Sequence, residues 1–381
     1  MKTQRSLRFH IGIFGKRNSG KSSFLNSLVG EEVAIVSDIK GTTTDPIYKA
    51  MEITDLGPVV FIDTAGIDDL GSLGQMRNEK SKKVVDKCDG FIYLLSQKDD
   101  LEFLKFLEKT GKPIIKVLSK SDKKEFTNLK DEFKNIDYET YSSFASKDRE
   151  KILSKIKKEF KDDEEISITG DLVKEDSTVV LVMPQDKAAP KGRLITPQVQ
   201  TIREILDKNA RAICTKPEGA KETFDLLAGK IDLIITDSQV FKEVYDIKPE
   251  GVRLTSFSVL FSKFKGDIDY FMESVKRLDS PIENILIAEA CSHPPVDEDI
   301  GTVKLPKLIK KIHPQVNFSF QRGDDFENID EFDLIIACGS CMFNRSHVLS
   351  RVKKAKEKNI PMTNYGITIA YLKGILDKIS I

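Results

Sequence analysis

Short apolar runs alternate with helical stretches along almost the whole chain. In the first part, the apolar runs are nearly continuous, which is typical of strands buried on both faces of a sheet. The stretches between them predict helices around Lys21–Val29 and over the charged segment Lys147–Asp163. This alternation predicts an α/β fold with mostly parallel sheets. The predicted strands here are Phe9–Phe14, Val59–Ile62, Gly90–Leu95 and Ile114–Leu118.

The same rhythm continues after Ser177 to the end of the sequence. The pattern divides the chain into three α/β blocks, the first from Leu7 to about Asp163, the second from near Ser177 and the third from near Thr255, and the last two show the same rhythm. We expect Val179–Met183 to be a sheet edge used in dimer contact, since an uncovered apolar edge invites pairing. The other predicted strands are Ala212–Thr215, Asp232–Thr236, Ile285–Ala288 and Leu334–Ala337, and the predicted helices are Gln198–Asp207, Ala220–Leu227, Val303–Ile312, His347–Lys358 and Ile367–Lys378.

A complete phosphate-binding loop follows the first predicted strand. The pattern Gly15-x4-Gly20-Lys21-Ser22 lies between an apolar strand and a helix, which is the context that gives it meaning. Its glycines let backbone N–H groups close on phosphates, Lys21 reaches the β- and γ-phosphates, and Ser22 binds Mg²⁺. We assign nucleotide binding to Gly15, Asn18, Ser19, Gly20, Lys21, Ser22 and Ser23.

A second phosphate-site motif, Asp63-Thr64-Ala65-Gly66, follows the strand Val59–Ile62. Asp63 is expected to hold Mg²⁺ through water, and Gly66 to contact the γ-phosphate and move when it leaves. The next residue is Ile67, where Ras-type enzymes have a glutamine that orients water. Because isoleucine cannot orient water, we expect slow basal hydrolysis.

The nucleotide base is indicated by Ser119-Lys120-Ser121-Asp122, which resembles the guanine motif N-K-x-D. Asp122 can accept hydrogen bonds from guanine N1–H and the exocyclic amine, which adenine does not offer. The sequence therefore predicts GTP rather than ATP, bound through Ser119, Lys120 and Asp122. Serine replaces the usual asparagine, so we expect the loss of a hydrogen bond that tethers the base and the loops. Residues 142–145 are either a poor match to a base-contacting loop or plain linker.

The segment Gly41–Asp45 resembles switch I, the G-T-T-R-D segment, of GTPases related to Era and the tRNA-modification GTPase. By that resemblance Thr43 binds Mg²⁺, and Asn18 matches the asparagine that holds K⁺ in the potassium-dependent members. K⁺ stimulation is therefore expected. The catalytic residues by this interpretation are Lys21, Thr43, Asp63 and Gly66.

Three of the five cysteines fall in the last quarter of the chain, each after an apolar strand. Cys291-Ser292-His293 and Cys338-Gly339-Ser340-Cys341 would meet where open α/β sheets place ligands. Three thiolates and an imidazole can form a zinc site or hold an iron–sulfur cluster, and ligand chemistry alone does not choose. His293 is either the fourth ligand or an outer hydrogen-bond donor. We interpret Cys88 and Cys214 as small buried hydrophobic residues, and His347 as a helix-start histidine and weaker metal candidate.

The charge balance narrows the choice of partner. The chain has 60 basic residues (lysine and arginine) and 60 acidic residues (aspartate and glutamate), so its formal net charge is zero. The overall charge therefore gives no reason to expect nucleic acid or an anionic membrane as partner. No apolar run approaches the roughly 20 residues of a membrane span. The start of the chain leads into a strand rather than a secretory signal. We expect a soluble cytoplasmic protein without nucleic-acid or membrane partners.

The combination of this GTPase type with C-x-H and a late C-x-x-C resembles the [FeFe]-hydrogenase maturation GTPases. The segments 186–195, 197–203, 254–258 and 363–366 agree with that family, so the resemblance covers essentially the whole chain. One departure is Ala337, where the family usually has a histidine directly before C-x-x-C. This departure removes one potential cluster ligand and leaves His293 as the only histidine of the two motifs.

The resemblance implies a GTPase domain at residues 1–165, a dimerisation domain at 166–260 and an iron–sulfur cluster-binding domain at 261–381. It implies a homodimeric scaffold whose Cys291, Cys338 and Cys341 bind a 4Fe–4S cluster. The scaffold would receive a diiron precursor from two radical-SAM maturases and deliver it to apo-[FeFe]-hydrogenase. GTP hydrolysis would act as a conformational switch. The alternatives are a GTPase of tRNA modification or ribosome assembly with structural zinc, and an Fe–S redox enzyme gated by nucleotide, which no further motif supports.

Overall fold

Three sheets organise the described part of the chain in the computed structural model. It describes residues 8–30, 35–36, 46–64, 81, 83–96, 101–121, 130–131, 133–143, 145–160, 167–184, 194–290 and 299–381. The chain divides into two compact units, residues 1–164 and 165–381. No helix within the described ranges is long and apolar enough to cross a bilayer.

The first unit is built on a seven-stranded sheet in the order β2-β3-β4-β1-β5-β6-β7. β3 runs antiparallel to both β2 and β4, and the other neighbouring strands are parallel. The strands are β1 (Phe9–Gly15), β2 (Ile35–Val36), β3 (Ile47–Ile53), β4 (Gly57–Asp63), β5 (Gly90–Leu95), β6 (Ile114–Ser119) and β7 (Glu139–Tyr141). The helices α1 (Lys21–Val29), α2 (Leu101–Glu108) and α3 (Ser146–Glu159) accompany them.

Both faces of this sheet are covered, which explains the continuous apolar runs. One core joins Ile11 and Ile13 to Leu25 of α1 and Ile152 of α3. The opposite core joins Phe14, Phe91 and Leu104, together with other residues of the central strands. Because β1 lies between β4 and β5 and is buried on both sides, its carboxyl end is held rigidly.

The second unit contains two parallel four-stranded sheets, in the orders β11-β10-β8-β9 and β13-β12-β14-β15. Helices connect the strands, so each sheet is assembled from crossover units. The strands are β8 (Thr178–Val182), β9 (Arg211–Thr215), β10 (Leu233–Thr236), β11 (Arg253–Ser256), β12 (Asn284–Glu289), β13 (Asn317–Arg322), β14 (Leu334–Ala337) and β15 (Met362–Asn364). The helices are α4 (Thr196–Asp207), α5 (Ala220–Leu226), α6 (Phe241–Ile247), α7 (Phe257–Lys265), α8 (Ile268–Ser274), α9 (Leu305–Ile309), α10 (Arg345–Glu357) and α11 (Tyr365–Leu372).

Two expectations about the first of these sheets were wrong. The strand expected at a dimer edge, β8, lies in the interior between β10 and β9, and all five of its residues are buried. A run of consecutive apolar residues is what a strand covered on both faces needs, whereas an edge tolerates polar positions. Cys214 is exposed rather than buried, because it lies on β9, which is an edge strand. Cys88 is buried as expected.

The two sheets of the second unit share their packing. Val259 of α7 belongs to the core beneath the β12 sheet. In return, Ala370 and Ile375 near the end of the chain belong to the core beneath the β8 sheet. The amide of Ser380 donates to the Leu254 carbonyl at 2.8 Å. The boundary that we placed between residues 260 and 261 falls inside α7, which connects the sheets.

Candidate functional site

The phosphate-binding loop leaves the carboxyl end of β1 and enters α1. Gly15 has φ +149°, and a Cβ there would lie 2.8 Å from the Leu94 carbonyl oxygen. Asn18 and Gly20 also have positive φ, at 61° and 94°. These conformations turn the chain sharply before the amide of Phe24 donates to the Gly20 carbonyl at 2.8 Å. The glycine spacing thus forms the backbone turn that the sequence predicts.

Lys21 lies in the first turn of α1 and is buried. Its Nζ donates to the carbonyl oxygens of Gly15 and Lys16, both at 2.8 Å. The ammonium is therefore folded back over the loop where phosphates are expected. The next two residues, Ser22 and Ser23, are exposed at the same end of the helix.

Asp63 lies beside the loop because β4 pairs with β1, with Asp63 in register with Ile13. Its Oδ2 accepts a hydrogen bond of 2.8 Å from Ser22 Oγ. Its Oδ1 is buried and has no hydrogen-bond partner among the residues that the structure describes. Burial raises the pKa of this carboxyl, opposed by the Ser22 hydrogen bond and the nearby Lys21 charge. A serine hydroxyl and an unsatisfied carboxylate oxygen together suit Mg²⁺, which prefers oxygen ligands.

The serine at the base-recognition motif still tethers the loops, contrary to our expectation. Ser119 Oγ donates to the Ser19 carbonyl at 2.7 Å, and both residues are buried. Lys120, with φ 64°, donates from Nζ to the Asn18 carbonyl at 2.5 Å. Serine is short, but Ser119 is the last residue of β6 and lies close enough to the loop to reach it. The sequence could not reveal that distance.

We predict that Ser119→Ala weakens guanine-nucleotide binding about fivefold, the equivalent of one hydrogen bond worth about 1 kcal/mol. The reason is that the tether to Ser19 is lost and the loop is less well positioned. Titration with a fluorescent GDP analogue measures the change. Ser121→Ala is the matched control, since the Ser121 amide that donates to Tyr141 at 3.2 Å remains. Equal affinities for the wild type and Ser119→Ala would contradict the prediction.

The second cluster of candidates lies at the carboxyl ends of β12 and β14, which are parallel neighbours with Ala288 opposite Ala337. The segment 338–341, which follows β14 and enters a hydrogen-bonded turn from Ser340 to Phe343, is called here the cysteine turn. Cys338 Sγ accepts hydrogen bonds from the amides of Ala290, at 3.0 Å, and Ser340, at 3.4 Å. Ala290 immediately precedes Cys291 in the sequence. The sheet therefore brings the end of the C-x-H strand against the C-x-x-C strand.

The surroundings of the cysteine turn combine burial with positive groups. Burial raises the pKa of the Cys338 thiol, while the amides of Ala290 and Ser340 oppose the shift. Lys265, at the end of α7, is buried and donates from Nζ to the carbonyls of Ser340, at 3.2 Å, and Phe343, at 2.8 Å. Burial lowers the pKa of Lys265 to about 8, and the cysteines oppose the shift. Both Lys265 and Cys338 line a cavity of about 20 Å³.

Several groups near the turn were missed in the sequence. Glu289 ends β12 and accepts hydrogen bonds from Arg322 Nε and Tyr365 Oη, both at 3.1 Å. Tyr365 lies in the segment 363–366, and the resemblance of that segment to the family was the only sequence feature that pointed to it. Nothing in the pattern pointed to Lys265. His347 lies in the first turn of α10 with its ring stacked on Phe343, as a helix-start histidine does.

Five sequence-predicted site residues lie outside the described residues: Thr43, Gly66, Asp122, Cys291 and His293. The structure brings together the others, namely the loop residues with Asp63, Ser119 and Lys120, and Cys338 with Cys341. Within the described part of the chain, no group of three His, Cys, Asp or Glu residues is placed to hold a metal ion. The pair of thiols in the cysteine turn, with N–H groups directed at sulfur, has the donor chemistry that suits zinc or an iron–sulfur cluster.

Comparison with known proteins assigns three regions of the chain. Residues 10–120 match the family model described as a 50S ribosome-binding GTPase. Among curated relatives, the tRNA modification GTPase MnmE of Helicobacter acinonychis (strain Sheeba) is 39% identical over 128 residues, covering 32% of this chain and 28% of MnmE. GTPase Der of Wolinella succinogenes is 42% identical over 104 residues, covering 26% and 22%. The chain thus spans less than a third of the length of these relatives.

Among solved structures, Era from Aquifex aeolicus bound to GDP and aluminium fluoride has a TM-score of 0.34 and 21% identity. The matched region covers 54% of this chain and 92% of the Era chain. The G domain of the T. maritima FeoB iron transporter has a TM-score of 0.30 and 18% identity, covering 39% of this chain and 98% of that domain.

The remaining two regions match models of one family. Residues 168–266 match the hydrogen maturase F dimerization domain, and residues 269–380 match the hydrogen maturase F tetramerization domain. Together these two matched regions cover more than half of the chain. They follow the GTPase domain, which supports binding of GTP and Mg²⁺. The chain therefore belongs to the hydrogen maturase F family and carries a GTPase domain at its N-terminus.

Proposed function

We propose that the protein is a GTP-hydrolysing scaffold that binds a 4Fe–4S cluster, assembles the diiron precursor and delivers it to apo-[FeFe]-hydrogenase. The observation that carries this proposal is the hydrogen bond from the Ala290 amide to Cys338 Sγ. It supports a single site for the two cysteine motifs, because Cys291 follows Ala290 directly. Cys291, Cys338 and Cys341 would supply three thiolates. His293 is the candidate for the fourth ligand.

In the cluster site, the protein's own groups orient the ligands. The amides of Ala290 and Ser340 donate to Cys338 sulfur, which favours the thiolate that metal binding requires. Glu289, held by Arg322 and Tyr365, fixes the end of β12 next to the cysteines. When bound, a cluster of this type supplies electron-transfer or iron-anchoring chemistry.

In the GTPase site, catalysis rests on positioning and charge stabilisation. Lys21 is placed to turn from the Gly15 and Lys16 carbonyls to the β- and γ-phosphates. Ser22, Thr43 and Asp63 would hold Mg²⁺, which neutralises phosphate charge when bound. Gly66 would contact the γ-phosphate, and Asp122, with Ser119 and Lys120, would select guanine. Slow hydrolysis is proposed because Ile67 occupies the position of a water-orienting glutamine.

We predict that replacing K⁺ by Na⁺ at equal ionic strength lowers the rate of GTP hydrolysis. Asn18 lies at the turn of the phosphate-binding loop, where a monovalent cation beside the phosphates would add positive charge in the transition state. Phosphate release measured in KCl and NaCl checks this, with Asn18→Ala expected to remove the difference. Equal rates in the two salts would contradict the K⁺ site.

The domains that match hydrogen maturase F support self-association of this chain, and we propose a cytoplasmic homodimer. We propose a GTPase part at residues 1–165, a dimerisation part that extends to the end of α7 at Lys265, and a cluster-binding part after it. Two radical-SAM maturases are the proposed donors of the diiron precursor. Hydrolysis would act as a conformational switch that alters the binding of these partners.

The experiment that tests the function is anaerobic reconstitution of the full chain with iron and sulfide. A brown protein with a reducible 4Fe–4S signal in electron paramagnetic resonance supports the scaffold. A colourless protein that holds one zinc ion would overturn it and favour a GTPase of tRNA modification or ribosome assembly with structural zinc. Mixing the loaded protein with apo-[FeFe]-hydrogenase then tests delivery.

A further inference from the structure

The ammonium of a buried lysine, Lys265, holds the backbone of the cysteine turn. Lys265 has 3% of its surface exposed, and its ammonium donates to two carbonyl oxygens that flank Cys341 in sequence, those of Ser340 and Phe343. Both acceptors belong to the turn or to the residues directly after it. The side chain thus fixes the backbone that presents Cys338 and Cys341.

The charge of Lys265 has no carboxylate to compensate it within the residues that the structure describes. Its described partners are the two carbonyls and the Phe261 ring, whose centroid is 5.9 Å from Nζ. A buried ammonium is costly unless a negative group lies nearby. The two thiols of the turn interact electrostatically with this ammonium, and they become thiolates on binding metal.

Lys265 also ends a helix that is hydrogen-bonded to neighbouring elements of the fold. It is the last residue of α7, and the Phe264 carbonyl beside it accepts a hydrogen bond of 3.0 Å from Arg345 Nε. Asn364 Nδ2, at the end of β15, donates to Ser262 Oγ on the same helix. The end of α7 is therefore fixed in place by several contacts, so the ammonium is held in a defined position behind the turn.

We propose that Lys265 is a positioning residue of the cysteine turn whose positive charge offsets the negative charge of the metal-bound Cys338 and Cys341 thiolates. This inference rests on the proposed cluster site. A fixed cation next to thiolates stabilises the more negative state of a bound cluster, so it also raises the reduction potential.

The first test uses Co²⁺ as a probe in the full-length, metal-free chain, because its thiolate absorption bands report binding. Lys265→Met and Lys265→Gln are expected to bind Co²⁺ about 10- to 100-fold more weakly than the wild type, as is typical when a group that supports a ligand is removed. Lys265→Arg, which keeps the charge, should retain most of the affinity. Lys263→Met is the matched control, since Lys263 is exposed on the same helix, and should bind as the wild type does.

The second test separates charge from simple structural support. After anaerobic reconstitution with iron and sulfide, the midpoint potential of Lys265→Gln should be more negative than that of the wild type. A tenfold lower preference for the reduced state corresponds to about 59 mV for one electron. A residue that only supports the backbone would change the amount of cluster without shifting its potential. Circular dichroism shows whether each variant is folded. If Lys265→Met does not fold, both tests are read from Lys265→Gln.

The outcomes distinguish this inference from the proposed function. If the wild type binds neither Co²⁺ nor iron through cysteine, the cluster site itself fails. If the wild type binds and Lys265→Gln binds equally well with the same midpoint potential, the cluster site stands and the role of Lys265 is overturned. Equal losses in Lys265→Arg and Lys265→Gln would also overturn the role of the charge.

Discussion

Cys338→Ala is expected to lower the iron bound after anaerobic reconstitution by at least about tenfold. Cys338 sulfur lies where the two cysteine motifs meet, at 3.0 Å from the Ala290 amide. Alanine removes a thiolate ligand and leaves that amide without its acceptor. Iron and sulfide analysis, visible absorption and electron paramagnetic resonance of the reconstituted protein measure the loss.

The chain offers a matched control in Cys214→Ala. Cys214 is exposed on the edge strand β9 of the other sheet in the same unit, so its removal should leave the iron content unchanged. Thermal unfolding followed by circular dichroism shows whether each variant is folded. A folded Cys338→Ala protein with the full iron content would show that the cluster lies elsewhere.

Lys21→Ala is expected to reduce the rate of GTP hydrolysis by at least about 100-fold, the usual cost of removing one preorganised group that stabilises transition-state charge. The Lys21 ammonium is held over the phosphate-binding loop by the carbonyls of Gly15 and Lys16. Alanine leaves no positive group at that position. Single-turnover phosphate release with saturating GTP measures the rate.

For this prediction the control is Lys105→Ala, an exposed lysine on α2 away from the loop, which should hydrolyse GTP as the wild type does. Lys21→Ala should also bind its full content of iron, because the loop and the cysteine turn belong to separate compact units. Hydrolysis at the wild-type rate would contradict the role of Lys21. Loss of iron would contradict the separation of the two sites.

The sequence predicted the elements whose pattern is local. The helix Lys21–Val29 and the strands Gly90–Leu95 and Leu334–Ala337 have the bounds that we expected. The antiparallel β3 and the edge strand β13 were missed because their residues are largely half-buried or exposed, and their apolar pattern is therefore weak. The place of β8 was wrong because the order of strands in a sheet depends on long-range pairing.

The same division holds for the candidate sites. The spacing of glycines around Lys21 was enough to predict the phosphate-binding loop, because the backbone turn requires those residues. The tether by Ser119 was not predictable, since it depends on the distance between β6 and the loop. Lys265 lies 73 residues before Cys338 in the numbering of the chain, and only the folded structure brings it to the cysteine turn.

The shared packing of the second unit has an evolutionary consequence. Val259 lies in one core, and Ala370 and Ile375 lie in the other, so neither sheet buries its apolar face with its own segment alone. A recombination event that joined either segment to a foreign gene would leave apolar surface exposed in both products. The two segments are therefore expected to be inherited as a pair.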